Sequence, residues 1–194
     1  VMDRFGQVKP KVLFAADGYY YNGKAHDSLE KVRQIATEID SLEHVVIVEV
    51  VEKVPSITGI EDIEGIESAV LFLNWLHEQA SVTDIAFEQL PFDHPLYIMY
   101  SSGTTGVPKC IVHGAGGTLI QHLKEHQLHC DIGPEDTLFY FTTCGWMMWN
   151  WLVSGFASGA ALILYDGSPF ADDGKVLLDL SLIHISEPTR LLRI

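Results

Sequence analysis

A nearly continuous run of β-branched residues over positions 45–51 constrains the fold more than any other feature of the sequence. An apolar run of this length is typical of a strand buried on both faces, whereas alternation indicates one buried face. Residues 11–15 predict an earlier strand, and Asp27, with Glu30 completing a capping box, predicts the start of a helix between the two. The apolar residues of that helix share one face: Leu29, Val32, Ile35 and Ile39. This order predicts a parallel sheet with a right-handed crossover.

The segment that follows this first unit is acidic. Residues 54–67 combine proline and glycine with four carboxylates: Glu61, Asp62, Glu64 and Glu67. This composition favours a solvated linker over an acidic metal site.

The remaining pattern predicts a helix over 68–78, a loop over 80–95 and then a second α/β unit. The elements predicted for the second unit are strands at 96–100, 109–113, 137–141 and 160–165, helices at 118–129 and 146–157, and a glycine turn at 114–117. We therefore expect an α/β fold of layered parallel sheet units with flanking helices, the two units being joined by the acidic linker at about 54–67.

Charge and cysteine content exclude several classes of protein. Lys and Arg total 12 against 26 Asp and Glu, a formal net charge of −14, which argues against a nucleic-acid partner or an anionic membrane surface. No apolar run in the sequence reaches the length of a membrane span. The three cysteines, Cys110, Cys130 and Cys144, cannot all pair and form no C-x-x-C. We interpret them as free thiols of a reducing compartment, which favours the cytosol.

The segment with the clearest chemistry follows the strand predicted over 96–100. Residues 101–109 contain two glycines and four hydroxyl side chains, and they end at Lys109. Glycine lets the backbone approach a ligand closely, successive backbone N–H groups can surround an anion, and the lysine adds a positive charge. The segment predicts a loop that holds a polyphosphate, with an unliganded surface loop as the alternative.

Two common nucleotide-binding motifs do not fit this region. A Walker A loop has the pattern G-x-x-x-x-G-K-[ST], but Pro108 takes the place of its second glycine and Cys110 that of its Mg²⁺-binding hydroxyl. The glycines at 114, 116 and 117 lack the later glycine of a dinucleotide-binding G-x-G-x-x-G.

The sequence Ser-Gly-Thr-Thr-Gly-x-Pro-Lys at 102–109 resembles the phosphate-binding loop of the adenylate-forming enzymes, which include acyl-CoA synthetases, luciferases and peptide-synthetase adenylation domains. Segments on both sides narrow the resemblance to the acetoacetyl-CoA synthetases. They are residues 3–5, 10–14, 21–24, 87–92, 108–113, 116–126, 145–151 and 164–169. The resemblance covers roughly residues 2–180 and implies a partial large N-terminal, AMP-binding domain of such an enzyme.

The resemblance implies a two-step ligation whose substrates are acetoacetate, ATP with Mg²⁺, and CoA, without a resident metal or a tightly bound cofactor. Acetoacetate attacks the α-phosphate to give an acyl-adenylate and pyrophosphate, and the CoA thiol then displaces AMP. The residues implied to grip the β- and γ-phosphates are Ser101, Ser102, Gly103, Thr104, Thr105, Gly106 and Lys109. By the same resemblance the acyl pocket is lined by Trp146, Met147 and Met148, with core packing as the alternative.

Four histidines also invite a functional interpretation. His122, His126 and His129 fall on one helical face, but no cysteine or carboxylate is placed to complete a zinc site. For His113, which follows the loop, a hydrogen-bonded core histidine is favoured over a ligand contact.

Cys144 and two tryptophans are given structural roles. Cys144 precedes a glycine, but nothing in the sequence around it indicates an activated nucleophile, so a small apolar residue is the better interpretation. Trp149 and Trp151 are expected in the core.

The later parts of the family pattern, including its catalytic lysine and small C-terminal domain, are not found in this sequence, so we expect an inactive fragment. Residues 181–194 do not continue the pattern and resemble translated sequencing-adapter sequence, with a spliced or divergent terminus as the alternative. Three other functions stay open: another short-chain acyl-CoA synthetase, a nucleotide-binding module without turnover, and a zinc-binding interaction domain.

Overall fold

The computed structural model describes residues 1–78, 80–81, 84–101 and 106–185, with side chains described as far as residue 180. Its strands are β1 (Val12–Ala16), β2 (Gly18–Tyr21), β3 (Lys24–Asp27), β4 (His44–Val48), β5 (Ser68–Leu71), β6 (Pro95–Tyr100), β7 (Cys110–Gly114), β8 (Thr137–Phe139) and β9 (Ala161–Ile163). Its α-helices are α1 (Met2–Val8), α2 (Leu29–Glu38), α3 (Phe72–Glu78), α4 (Ala115–Leu123), α5 (Met147–Val153) and α6 (Lys175–Ile185). A π-helical segment, Lys124–His129, continues α4, and 3₁₀ turns cover Ser154–Ser158 and Ala171–Gly174.

Three parallel strands form the sheet of the first unit, in the order β1, β4, β5. β4 is central, and its Val45 and Ile47 are completely buried. The predicted face of α2 packs on this sheet, since Leu29, Val32 and Ile39 all belong to the core. The expected α/β fold with a parallel sheet and flanking helices is confirmed.

β4 ends three residues before the predicted position 51. The buried carboxylate of Asp17 accepts the backbone N–H groups of Val50, Val51 and Glu52 at 2.8, 3.1 and 2.8 Å. Because these groups turn toward the end of β1, they cannot continue the ladder of the sheet. The prediction of strand for residues 49–51 was therefore wrong.

The acidic segment 54–67 packs against the first sheet. It has an isoleucine at every third position: Ile57, Ile60, Ile63 and Ile66. The backbone N–H of each of the last three donates to the carbonyl of the isoleucine before it. Ile60 is completely buried and the other three pack against the core. The carboxylates are exposed, as expected of a solvated segment, but the isoleucines attach the segment to the sheet.

Residues 68–78, predicted as one helix, divide into β5 and α3. Ser68–Leu71 pairs in parallel with β4, and Leu71 belongs to the core. The helix prediction was wrong for these four residues because pairing with a central strand outweighs a helical apolar pattern.

β2 and β3 form an antiparallel hairpin whose turn places Asn22 and Gly23 at φ 49° and 73°. The two strands of this hairpin were not predicted. α2 starts one residue later than expected, with Ser28 at the N-cap position. The Ser28 N–H donates to the Asp17 carbonyl, and the Asp27 carboxylate accepts the Leu29 N–H at 2.9 Å.

The second unit combines two kinds of strand pair. β8 and β9 are parallel, but β6 and β7 are antiparallel, because the short connection at 101–109 cannot cross over to a parallel neighbour. β8 and β9 are also shorter than predicted.

α4 begins at Ala115, so residues predicted as a glycine turn form its first helical turn. A Cβ atom on Gly116 would lie 2.2 Å from the ring of Phe92, which explains why glycine suits this position. Helix α6 was not predicted. It continues past residue 180, where the family resemblance was expected to end. Among the described residues, no helix combines the length and apolar character needed to cross a bilayer.

Candidate functional site

The β6–β7 hairpin holds the two ends of the predicted phosphate-binding loop together. The Ser101 N–H donates to the Lys109 carbonyl at 3.0 Å, and the Lys109 N–H donates to the Ser101 hydroxyl at 3.2 Å. Gly106, at φ 128°, adopts backbone geometry that favours glycine. Four residues of the predicted loop lie outside the described residues: Ser102, Gly103, Thr104 and Thr105.

Helix α1 supports the base of this loop, a contact that sequence reasoning missed. The Gln7 amide donates to the Pro108 carbonyl at 2.9 Å, and the Tyr100 hydroxyl donates to the Arg4 carbonyl at 3.2 Å. Burial, together with the nearby Cys110, raises the pKa of Tyr100 despite the opposing charge of Arg4. The contacts join residues about a hundred positions apart, which no local pattern reveals.

A cleft of about 630 Å³ lies beside the same hairpin, between β7, α4 and α5. Two of the three predicted acyl-pocket residues, Met147 and Met148, line it. Trp146 does not; its side chain is 70% exposed at the N-cap position of α5. The polar and charged side chains in the lining are Asp93, His113, Thr118, Gln121, His122 and Glu125.

Glu125 fixes one wall of the cleft. Its carboxylate accepts the indole N–H of Trp151 at 2.9 Å and a hydrogen bond from the Gln121 amide. The bond from Gln121 is the main cause of the lowered pKa of Glu125, with help from Trp151 and against the effect of burial. The carboxylate thus keeps its charge while it orients the indole ring.

His122 is held by a chain of hydrogen bonds from the 3₁₀ turn after α5. Its Nδ1 lies 2.8 Å from the Ser154 hydroxyl, which donates to the Trp151 carbonyl at 2.7 Å. Burial is the main cause of the lowered pKa of His122; His126 and His113 act in the same direction and Glu125 opposes them. The neutral imidazole is therefore favoured near neutral pH.

The predicted histidine face is not assembled as a metal site. His126 is completely buried against Trp151, with ring centroids 4.4 Å apart, and neither of its ring nitrogens has a hydrogen-bond partner among the described residues. Burial lowers the pKa of His126. His129 is exposed, because the π-helical segment changes the spacing that an α-helix would give. Within the described ranges, no group of three His, Cys, Asp or Glu side chains is placed to hold a metal ion.

The remaining candidates fall in two cavities. His113 lines the first cleft and packs on Tyr97, with ring centroids 5.2 Å apart, while Trp151 is half-buried in the wall of the same cleft. Cys144 is exposed and, with the half-buried Trp149, lines a second cavity of about 450 Å³. Neither tryptophan is fully buried, so the expectation that both belong to the core was too simple.

Comparison with known proteins gives a consistent set of matches. The family model described as "AMP-binding enzyme" matches residues 2–189. The acetoacetyl-coenzyme A synthetase of Rhizobium meliloti is 53% identical over 179 residues, 92% of this chain and 26% of that protein. The acetoacetyl-CoA synthetase of Mus musculus is 50% identical over 182 residues, 93% of this chain and 26% of that protein. The chain thus spans about a quarter of the length of the curated relatives it matches.

The solved structures agree with this result. The acetoacetyl-CoA synthetase from Streptomyces lividans matches with a TM-score of 0.78 and 43% sequence identity, over 90% of this chain and 25% of that chain. At this identity and score the likeness extends to the fold over nine-tenths of this chain.

Proposed function

Since this chain belongs to the AMP-binding enzyme family, we propose that it is part of an ATP-dependent acetoacetate–CoA ligase. The observation that carries the proposal is identity of about half over nine-tenths of the chain to proteins named acetoacetyl-CoA synthetase. The chain corresponds to only a quarter of those proteins, so the activity is assigned to a polypeptide of their length that contains this segment.

The reaction has two half-reactions. The carboxylate of acetoacetate attacks the α-phosphorus of Mg²⁺-bound ATP; a C–O–P linkage forms, the bond to the β-phosphate breaks, and pyrophosphate leaves. The sulfur of CoA then attacks the carbonyl carbon of the acyl-adenylate, and AMP departs with the electrons of the broken C–O bond. Mg²⁺ enters with ATP as part of the substrate, since phosphate oxygens and water supply most of its ligands.

The proposed role of the loop at 101–109 is to hold the β- and γ-phosphates. Its sequence supplies backbone N–H groups, hydroxyls and a lysine, the kinds of donor that stabilise negative charge on a departing pyrophosphate. The reciprocal bonds between Ser101 and Lys109 support this role, because they fix both ends of the loop. The Lys109 side chain is exposed and forms no salt bridge with the described residues, so its charge is available to an anion.

The proposed site for the acyl group is the cleft beside β7. A short chain such as that of acetoacetate needs a small apolar wall with a few polar groups. Met147 and Met148 offer that wall, and Thr118 and Gln121 in the same lining offer hydrogen bonds. The proposal keeps Trp146 as a third wall residue, which requires a change in its exposed side chain when substrate binds.

The proposal includes a cytosolic location and no nucleic-acid partner. Cys110, Cys130 and Cys144 are free and exposed, which suits a reducing compartment. The net charge of −14 opposes binding to nucleic acid.

The test uses the full-length reading frame that contains this sequence. Sequencing independent transcripts beyond codon 180 defines that frame, and the purified product is assayed for acetoacetate-dependent exchange of pyrophosphate into ATP. We expect exchange with acetoacetate to exceed exchange with acetate or butyrate. Faster exchange with either of those acids would favour another short-chain acyl-CoA synthetase, and ATP binding without exchange would leave a nucleotide-binding module.

A further inference from the structure

His122 and the proposed acyl wall face the same space. Met147, Met148 and His122 all line the cleft of about 630 Å³ beside β7. The phosphate-binding role proposed above uses the other end of the hairpin, so it leaves His122 without a function. Its place in the cleft and its bonding to a distant element both require an explanation.

The hydrogen-bond chain determines which nitrogen of His122 carries the proton. The Ser154 hydroxyl has one proton, and it donates that proton to the Trp151 carbonyl at 2.7 Å. We assign Nδ1 as the donor in the 2.8 Å contact with Ser154, because the Ser154 proton is used by the Trp151 carbonyl. In the neutral ring this leaves a lone pair on Nε2, for which no described residue provides a hydrogen bond.

The groups around His122 keep the ring neutral. His126 on the same helical segment and His113 on β7 disfavour a second proton, and Glu125 favours one. Asp93 also lines the cleft, from the loop before β6. Burial is the largest influence and lowers the pKa of His122, so Nε2 is a free base near neutral pH.

We propose that His122 is the general base that removes the proton from the CoA thiol in the second half-reaction. Nε2 takes the S–H proton as the sulfur attacks the carbonyl carbon of the acyl-adenylate and the C–O bond to AMP breaks. The imidazolium then returns its proton to water. Ser154 is a positioning residue, because it acts only by holding Nδ1, as the third member of a catalytic triad holds the base.

This inference rests on the proposed function and adds to it a residue for the second half-reaction. The expected size of the effect follows from the thiol. The thiol of CoA is an alkyl thiol, no more acidic than the cysteine side chain with its pKa of about 8.5, so at most about 3% of it is ionised at pH 7 and a base that supplies the thiolate accelerates attack by about 30-fold or more. The advantage shrinks as the pH rises toward the pKa of the CoA thiol, where the thiol ionises without help.

The experiment measures the two half-reactions separately in the full-length enzyme. Pyrophosphate exchange reports adenylate formation, and rapid mixing of enzyme-bound acetoacetyl-adenylate with CoA reports thioester formation. The variants are His122→Gln, Ser154→Ala and, as a matched control, His129→Gln at the exposed end of the same helical segment. Each is measured between about pH 6 and pH 9, the range in which an imidazole and a thiol titrate.

We expect His122→Gln to slow thioester formation at least about 10-fold more than it slows exchange at pH 7, with the difference shrinking as the pH rises toward 9. Ser154→Ala should give a smaller loss with the same pH dependence, and His129→Gln should give none. Thioester formation at the wild-type rate in His122→Gln would overturn the inference. So would a parallel loss in both half-reactions, which indicates an acyl-pocket or purely structural role. Wild-type enzyme without acetoacetate-dependent exchange would instead overturn the proposed function.

Discussion

The carboxylate of Asp17 accepts the backbone N–H of Glu52 at 2.8 Å, which joins the end of β1 to the segment that follows β4. It also accepts the N–H groups of Val50 and Val51, and the residue is 3% exposed. Burial raises the pKa of this carboxyl, but hydrogen bonds from the backbone of Glu52, Val50, Val51 and Gly18 together hold it below its ordinary value. Asp17 is therefore a charge that stabilises the first sheet.

Replacing this carboxylate by an amide should destabilise the fold. In Asp17→Asn one oxygen becomes an NH₂ group that faces backbone N–H donors, so we expect the free energy of unfolding to fall by about 2 kcal/mol. Urea unfolding followed by circular dichroism measures the change. Asp27→Asn is the matched control, because its exposed carboxylate accepts a single N–H, from Leu29, and asparagine serves equally well there. Equal losses in the two variants would contradict a special role for Asp17.

The same carboxylate predicts how stability depends on pH. Because the folded-state pKa of Asp17 is lower than the unfolded value, its contribution is complete above the unfolded pKa of about 3.9. The contribution is lost as the pH falls through the folded-state value. We expect the stability difference between wild type and Asp17→Asn to stay constant from neutral pH to about pH 5 and to shrink below about pH 4. A stability difference that grows on acidification would show instead that folding raises the pKa of Asp17.

The sequence predicted those parts of the fold whose signal is local. The apolar run of β4 and the buried face of α2 depend on residues close in the chain, and both predictions were confirmed. The end of β4 depends instead on Asp17, more than thirty residues earlier, and no window of sequence contains both. The isoleucines at every third position of 57–66 were a readable sign of packing, but the carboxylates between them dominated the interpretation.

The candidate site likewise has parts with a local sequence signal and parts that depend on residues far apart in the chain. The loop at 101–109 was visible because its residue types are concentrated in one stretch. The contact between His122 and Ser154 joins two elements 32 residues apart, and only the packing of α4 against the 3₁₀ turn brings them together. The exposure of Trp146 was equally unpredictable, since a helix N-cap position gives no indication of which side chain faces a cleft.

Two adjacent glycines in α4 should respond differently to alanine. A Cβ on Gly117 meets nothing within 4 Å, whereas a Cβ on Gly116 would overlap the ring of Phe92, which lines the cleft. Alanine is the better helix former, so Gly117→Ala should raise the midpoint of thermal unfolding through a gain of about 0.5 kcal/mol. Gly116→Ala should gain less or lose stability, because Phe92 has to move. A larger gain at 116 than at 117 would contradict the contact with Phe92.

Shortening Met148 should alter acyl preference in the full-length enzyme. Met148 lines the cleft, and its replacement by alanine makes room for a longer chain. A methylene in such a pocket is worth about 1 kcal/mol or more, so we expect kcat/KM for the six-carbon 3-oxo acid relative to acetoacetate to rise about tenfold. Val153→Ala, on the same helix but outside the lining, should leave the ratio unchanged. Trp146→Ala should shift it less than Met148→Ala, because Trp146 is 70% exposed; an equal shift would locate the acyl wall at Trp146.

Removing the charge of Lys109 should impair only the first half-reaction. The ammonium is proposed to stabilise the departing pyrophosphate, and loss of one such donor costs about 3 kcal/mol in the barrier, or about 100-fold in rate. We expect Lys109→Ala in the full-length enzyme to reduce pyrophosphate exchange by that factor while preformed acetoacetyl-adenylate still reacts with CoA at the wild-type rate. Lys109→Arg should recover part of the loss, since it keeps the charge with a different geometry. Lys53→Ala, which removes an exposed lysine far along the chain, controls for net charge. Exchange that survives in Lys109→Ala, or that falls equally in Lys53→Ala, would mean that the β6–β7 hairpin does not deliver its lysine to the phosphates.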